Sequence, residues 1–121
     1  MGVRVLVVDD SIYERQVVCD LLIKGGHQIA GVAATGLEAV EQFEVLRPDI
    51  VTLDLVLPFL SGTEAAQQIL QIDPEARIIA VTGLLQPSVQ AEALRIGLTC
   101  IVGKPVESEE LLAEIEELLS T

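Results

Sequence analysis

Five short runs of β-branched and aliphatic residues recur along the chain, at positions 3–8, 28–33, 49–53, 77–82 and 99–102. Four of the five are almost continuously apolar, the pattern of strands covered on both faces rather than one. Helical patterns fill the intervals. Val17, Val18, Leu21 and Leu22 share one face of a helix that starts after Ser11, a residue suited to cap it, and that Gly25-Gly26 stops. Ala39, Val40, Phe43 and Leu46 line a second helix, ended before Pro48. Ala66, Ile69 and Leu70 line a third, ended at Asp73-Pro74. Val89, Ala93, Leu94 and Ile96 line a fourth, with Pro87 near its start and Gly97 beyond its end. Leu111, Leu112, Ile115, Leu118 and Leu119 line the last. The order is (βα)5, an α/β fold. Right-handed crossovers then force a doubly wound, parallel five-stranded sheet with helices on both faces.

Composition narrows the class. Half of the 121 residues are apolar, enough for one core and too many for a disordered chain. Residues 1–121 are therefore expected to form one domain. No apolar run reaches the roughly 20 residues that a membrane span needs, and no basic, apolar and cleavage regions of a signal peptide open the chain, so the expected location is cytoplasmic. Nineteen acidic residues against seven Lys and Arg give a net charge of -12. Such a surface is repelled by phosphate backbones, which disfavours direct nucleic-acid binding. Cys19 and Cys100 lack the spacing of a metal or redox motif and are expected to be buried and reduced. His27, with nothing paired to it at motif spacing, is expected in an exposed loop.

Parallel sheets place chemistry at the carboxyl ends of their strands. There the sequence concentrates its conspicuous polar groups: Asp9-Asp10 after the first strand, Asp54 after the third, Thr82 ending the fourth and Lys104-Pro105 after the fifth. Converging carboxylates repel one another until a proton or a cation compensates them. Oxygen donors without Cys or His suit a hard ion, Mg2+ or Mn2+. Lys104 adds a mobile point charge and Thr82 a hydroxyl, both matched to a phosphate oxygen. Asp54 is then placed as a nucleophile toward phosphorus.

These residues resemble the receiver domains of two-component response regulators. The resemblance covers essentially the whole chain. It rests on Val8-Asp9-Asp10-Ser11, on Asp54 through Pro58 with Gly62 following, on Thr82-Gly83, on Lys104-Pro105 and on the interval from Gly97 to Lys104. It implies the flavodoxin-like strand order 2-1-3-4-5 and transfer of a phosphoryl group from a histidine kinase or phosphotransfer protein to Asp54. Asp9, Asp10, Asp54 and the carbonyl of Val56 would hold Mg2+. Thr82 and Lys104 would act on the phosphoryl group, and the Lys104–Pro105 bond would be cis. Such a domain catalyses only its own phosphorylation and dephosphorylation. It signals to a protein target, here unidentified.

The chain also departs from the family. The family's switch pairs the Thr82 position with an aromatic three residues before the lysine. Ile101 stands there, so signalling is expected to rely on movement of the loop after Thr82. In the family the positions of Val56 and Leu84 flank the path of the hydrolytic water; here both are apolar, so the resemblance implies a long-lived phosphoryl group. Tyr13 and Phe59 flank the site and are candidate partner contacts. The last helix bears six glutamates from Glu107 to Glu117 and no basic residue. That disfavours a dimer built on charge pairs across this helix. A start at Met1 and an end soon after the fifth helix fit a stand-alone receiver better than one cut from a larger protein. Two rival chemistries fare poorly. A flavin carrier needs a Ser/Thr/Gly-rich loop where Asp9-Asp10 stands, and an aspartyl-phosphate hydrolase needs an Asp-x-Asp spacing that is absent. A degenerate receiver that binds partners without phosphorylation is the remaining alternative.

Overall fold

A computed structural model describes residues 2–120. Ten elements alternate without exception: β1 (Arg4–Val8), α1 (Ile12–Lys24), β2 (Gln28–Ala33), α2 (Gly36–Leu46), β3 (Ile50–Leu53), α3 (Gly62–Ile72), β4 (Ile78–Thr82), α4 (Pro87–Ile96), β5 (Cys100–Gly103) and α5 (Ser108–Leu119). The five strands form one parallel sheet in the order β2-β1-β3-β4-β5. The fold is thus the flavodoxin-like (βα)5 arrangement expected from the sequence. Chain order reverses direction across the sheet between β1 and β3. Helices leave those two strands toward opposite faces, and a crevice opens at their carboxyl ends.

Strand alternation explains both cores. Leu6 and Val8 of β1, Val51 and Leu53 of β3, and Ile78 and Ala80 of β4 face Ala39 and Phe43 of α2, Ala66 and Ile69 of α3, and Ala93 of α4. The intervening residues Val5, Val7, Ile50, Ile79 and Val81 face Val18, Leu21 and Leu22 of α1 and Leu111 and Ile115 of α5. A strand with both faces covered has no place for alternating polar residues, which is why these runs read as continuous apolar stretches.

Three helices begin with the same device. Ser11, Thr35 and Ser61 are the N-caps of α1, α2 and α3, and each accepts a hydrogen bond from the backbone N–H of a glutamate three residues on. Helix α4 has no side-chain cap; it opens on Pro87 and ends at Gly97 with φ +105°, a left-handed turn that a side chain would strain.

Three sequence expectations fail at the periphery. Leu94 and Leu119 point to solvent, because α4 and α5 present only one narrow apolar stripe to the sheet. His27 is buried, not in an exposed loop. Its Nδ1 accepts the Val3 N–H at 3.2 Å while Nε2 has no partner among the described residues. The ring closes the joint between the start of β1 and the turn after α1, where a backbone donor would otherwise be orphaned. Both cysteines are free; Cys19 is buried and Cys100 half-buried.

Candidate functional site

The carboxyl ends of β1, β3, β4 and β5 bring four distant segments together. Asp9 leaves β1 buried, its backbone N–H still donating to the Ala33 carbonyl at 3.0 Å. Asp54 leaves β3 buried, its N–H donating to the Val8 carbonyl at 3.0 Å. Sheet hydrogen bonding therefore extends one residue past each strand and fixes both backbones before their side chains turn into the crevice. The carboxylates are also aimed locally. Asp9 Oδ1 accepts the Ser11 N–H at 2.9 Å, and Asp54 Oδ1 accepts the Val56 N–H at 3.0 Å.

Lys104 sits at the centre. Its backbone N–H donates to the Thr82 carbonyl at 3.0 Å, which anchors the residue to β4, and the Lys104–Pro105 bond is cis. The Nζ donates to Asp9 Oδ2 at 2.9 Å, Asp54 Oδ2 at 2.9 Å and Glu14 Oε2 at 2.7 Å. All three ammonium hydrogens are thus engaged with carboxylates. Burial pulls the ammonium's pKa down, but its hydrogen bonds to Glu14, Asp9 and Asp54 outweigh it, and the group is held above the usual lysine range. Burial pushes the Asp54 carboxyl above the usual aspartate range, against the opposing pull of the Val56 N–H and Lys104.

Asp9, Glu14 and Asp54 bring carboxylate oxygens within 4.8 Å of one another. This donor set consists of hard, anionic oxygens and fits a small divalent cation of the Mg2+ type. Asp10 is exposed and lies outside that cluster. Thr82 is fully buried; its Oγ1 accepts the Leu84 N–H at 3.1 Å, which leaves its own O–H to donate. Ile101 is partly buried against the core on the α2–α3–α4 face. Val56 and Leu84 are exposed at the rim, as are Tyr13 and Phe59. Phe59 is fully exposed and holds φ +66°, a left-handed conformation unusual for a bulky residue.

Two residues escaped the sequence reading. Glu14 completes the acidic cluster, and Arg15 Nη1 donates to the Asp9 carbonyl at 2.8 Å. Glu14 was hidden by its own motif: Ser-x-x-Glu before an apolar run reads as a helix cap, and the backbone half of that reading is correct.

A doubly wound parallel sheet with buried acids after β1 and β3 and a lysine after β5, all at the crevice, has the arrangement of a signalling receiver. The chain matches the response regulator receiver domain family over residues 5–116, and it belongs to that family, whose members are receivers of two-component systems. It is similar to the chemotaxis protein CheY of Thermotoga maritima, 36% identical over 118 residues that cover 98% of each chain. It is also similar to CheY of Bacillus subtilis, 34% identical over 120 residues covering 99% of this chain and all of that one. Among solved structures, a two-component response regulator of the LuxR family from Aurantimonas superposes with a TM-score of 0.93 at 31% identity, covering 99% of this chain and 86% of that chain. A CheX–CheY–BeF3–Mg2+ complex from Borrelia burgdorferi gives a TM-score of 0.93 at 28% identity, covering 96% of this chain and 88% of that chain. No helix among the described residues is long and apolar enough to cross a membrane.

Proposed function

We propose that residues 1–121 form one phosphoacceptor receiver that accepts a phosphoryl group on Asp54 from a histidine kinase or phosphotransfer protein and passes a conformational change to a protein target in the cytoplasm. The observation that carries this reading is the Lys104 ammonium, 2.9 Å from both the Asp54 and Asp9 carboxylates. An Asp54 oxygen forms the new P–O bond as the N–P bond of the phosphohistidine breaks, and the electron pair of that bond stays on the imidazole nitrogen. Asp9 and Asp54, the buried members of the acidic cluster, would hold Mg2+ with the Val56 carbonyl, and the exposed Asp10 next to Asp9 would join them from outside the cluster; Mn2+ suits the same donors, and the bound ion would supply positive charge opposite the transferring oxygens. Lys104 follows the phosphoryl group as a point charge. Thr82 donates its hydroxyl to a phosphoryl oxygen. Because Thr82 Oγ1 also holds the Leu84 N–H, that movement draws the β4–α4 loop with it. With Ile101 in place of an aromatic, the loop is the element that carries the signal.

The beryllofluoride and Mg2+ named with the Borrelia CheY, and the CheX bound to it, support this reading by similarity. The test is incubation with Mg2+ and acetyl phosphate, read by intact mass, beside Asp54→Asn. One acid-stable, base-labile phosphoryl group on the wild type and none on the variant is the expected result. Equal labelling of both removes Asp54 as acceptor. No labelling of either favours a receiver that binds partners without phosphorylation.

A further inference from the structure

The three Ser/Thr-x-x-Glu helix starts are alike in sequence and differ in one respect. At α3 the Glu64 side chain turns back and accepts the Ser61 N–H at 3.2 Å, closing a reciprocal capping box. At α2 the Glu38 side chain accepts the Ala34 N–H at 3.1 Å and stays at its own helix start. At α1 the equivalent N–H, that of Ser11, is taken by Asp9 Oδ1. Glu14 is thereby released from its cap, and its carboxylate reaches across to Lys104, ninety residues away in sequence.

The three carboxylates around Lys104 are not equivalent. Asp9 and Asp54 are each pinned by a second hydrogen bond from the backbone, and their side chains are 4% and 7% exposed. Glu14 is 44% exposed, and Lys104 is the one hydrogen-bond partner of its carboxylate among the described residues. An ammonium has three hydrogens, and all are engaged. When Asp54 is loaded, its own oxygen is drawn into the new bond, and the phosphoryl oxygens compete with Asp9 and Glu14 for the ammonium. The two pinned ones are held by the sheet ends; Glu14 hangs from the first turn of a helix and can swing into water.

We propose that Glu14 is the resting counter-ion of Lys104 and a positioning residue: it yields its place when an anion is loaded at Asp54, and it thereby sets how tightly the site holds a phosphoryl group. The inference rests on the phosphoacceptor reading above. Glu14 keeps the ammonium compensated and seated in the crevice while the site is empty. Once a tetrahedral or trigonal-bipyramidal anion arrives, the same carboxylate competes for Lys104 and repels the anion.

The test is Glu14→Gln, which keeps the side-chain size and the backbone N–H that Ser11 caps, beside Glu14→Asp, which keeps the charge. Beryllofluoride affinity is measured by calorimetric titration at saturating Mg2+, with a thermal melt to confirm folding. Glu14→Gln is expected to bind beryllofluoride about two- to tenfold more tightly than the wild type, because a partly solvated charge is removed beside the anion. The gain should shrink as salt rises, a response that lost packing would not give. Glu14→Asp should stay near the wild type. A glutamine variant that folds and binds no more tightly, or whose gain is indifferent to salt, overturns the counter-ion role and leaves the phosphoacceptor reading intact. A wild type that binds no beryllofluoride overturns both.

Discussion

Substituting Gly62 tests whether the start of α3 fixes Asp54, the proposed phosphoacceptor. Gly62 donates its N–H to the Leu55 carbonyl at 3.0 Å and lies directly beneath the backbone of Asp54. A Cβ there would stand 2.2 Å from the Asp54 carbonyl oxygen and 2.5 Å from Leu55 Cα. Ordinary contact begins at 3.4 Å, so the nearer pair must separate by 3.4 minus 2.2, or 1.2 Å. Both obstacles are backbone and cannot rotate away. Either α3 lifts and loosens Ala65, Ala66 and Ile69, all fully buried, or the β3–α3 connection moves and carries Asp54 with it. Overpacking of this kind costs about 1–3 kcal/mol. A shift of about 1 Å at a reacting atom costs on the order of 10²-fold in rate. Gly62→Ala should therefore lose about 1–3 kcal/mol in urea unfolding and label with acetyl phosphate up to about 100-fold more slowly. Gly83→Ala is the stability control, since a Cβ at Gly83 meets nothing within 4 Å; it should fall within about 0.5 kcal/mol of the wild type. A Gly62→Ala protein as stable as the wild type and labelled at the same rate would refute the steric argument at both ends.

Four further outcomes follow from particular contacts. Phe59→Gly removes a left-handed strain from a side chain that is fully exposed, and should raise stability by about 1 kcal/mol in urea; a loss would mean the ring has a packing role that its exposure denies. His27→Ala strips the acceptor from the Val3 N–H and should cost about 1–3 kcal/mol, whereas an unchanged unfolding curve would return His27 to the surface. Burial, with Glu114 beside it, pushes the Cys100 thiol up to about 12, so on the order of 10⁻⁴ of it is thiolate at pH 8; iodoacetamide should modify native Cys100 far more slowly than the urea-unfolded chain, and equal rates would contradict the burial. Replacing Val56 and Leu84 together by Asn and Lys should shorten the life of the Asp54 phosphoryl group, followed by intact mass; an unchanged decay would show that apolar cover at the rim does not exclude water.

The fold was legible because burial on both faces writes itself as uninterrupted apolar runs, and because Pro48, Pro74, Pro87 and Gly97 punctuate the helices. Strand limits in the sequence and in the structure differ by a residue at most. The convergence of Asp9, Asp54 and Lys104, beside the strand that Thr82 ends, was legible for a topological reason: in a parallel sheet, the residue that ends each strand is delivered to the same edge whatever separates it in sequence. What stayed hidden depends on side-chain direction. Asp9 and Asp10 are adjacent and chemically identical, yet one is buried against Lys104 and the other faces water, since successive residues leaving a strand point opposite ways. Glu14 was masked because a capping pattern records that a glutamate stands three residues past a serine; it does not record whether the serine's N–H is already taken. His27 was misplaced because its partner is the backbone of Val3, and an N–H acceptor at a strand start leaves no mark in composition.

The charge within the crevice explains why these groups must be assembled from separate segments. Three carboxylates meet one ammonium, so two negative charges are uncompensated in a region where Asp9 and Asp54 are almost shielded from water. Arg15 is the nearest other cation in the hydrogen-bond network, and it spends its donor on the Asp9 carbonyl rather than on a carboxylate. A single helix or loop carrying these acids would splay them apart in solvent. Here the sheet holds Asp9 and Asp54 by backbone hydrogen bonds that run past the ends of β1 and β3, and their repulsion cannot be relieved by moving the chain. The surplus of two is the charge of a divalent metal, and a phosphoryl group adds more negative charge on top of it. The same balance makes Lys104 the pivot of the crevice, because Asp9, Glu14 and Asp54 share its three hydrogens and no other cation reaches their carboxylates among the described residues.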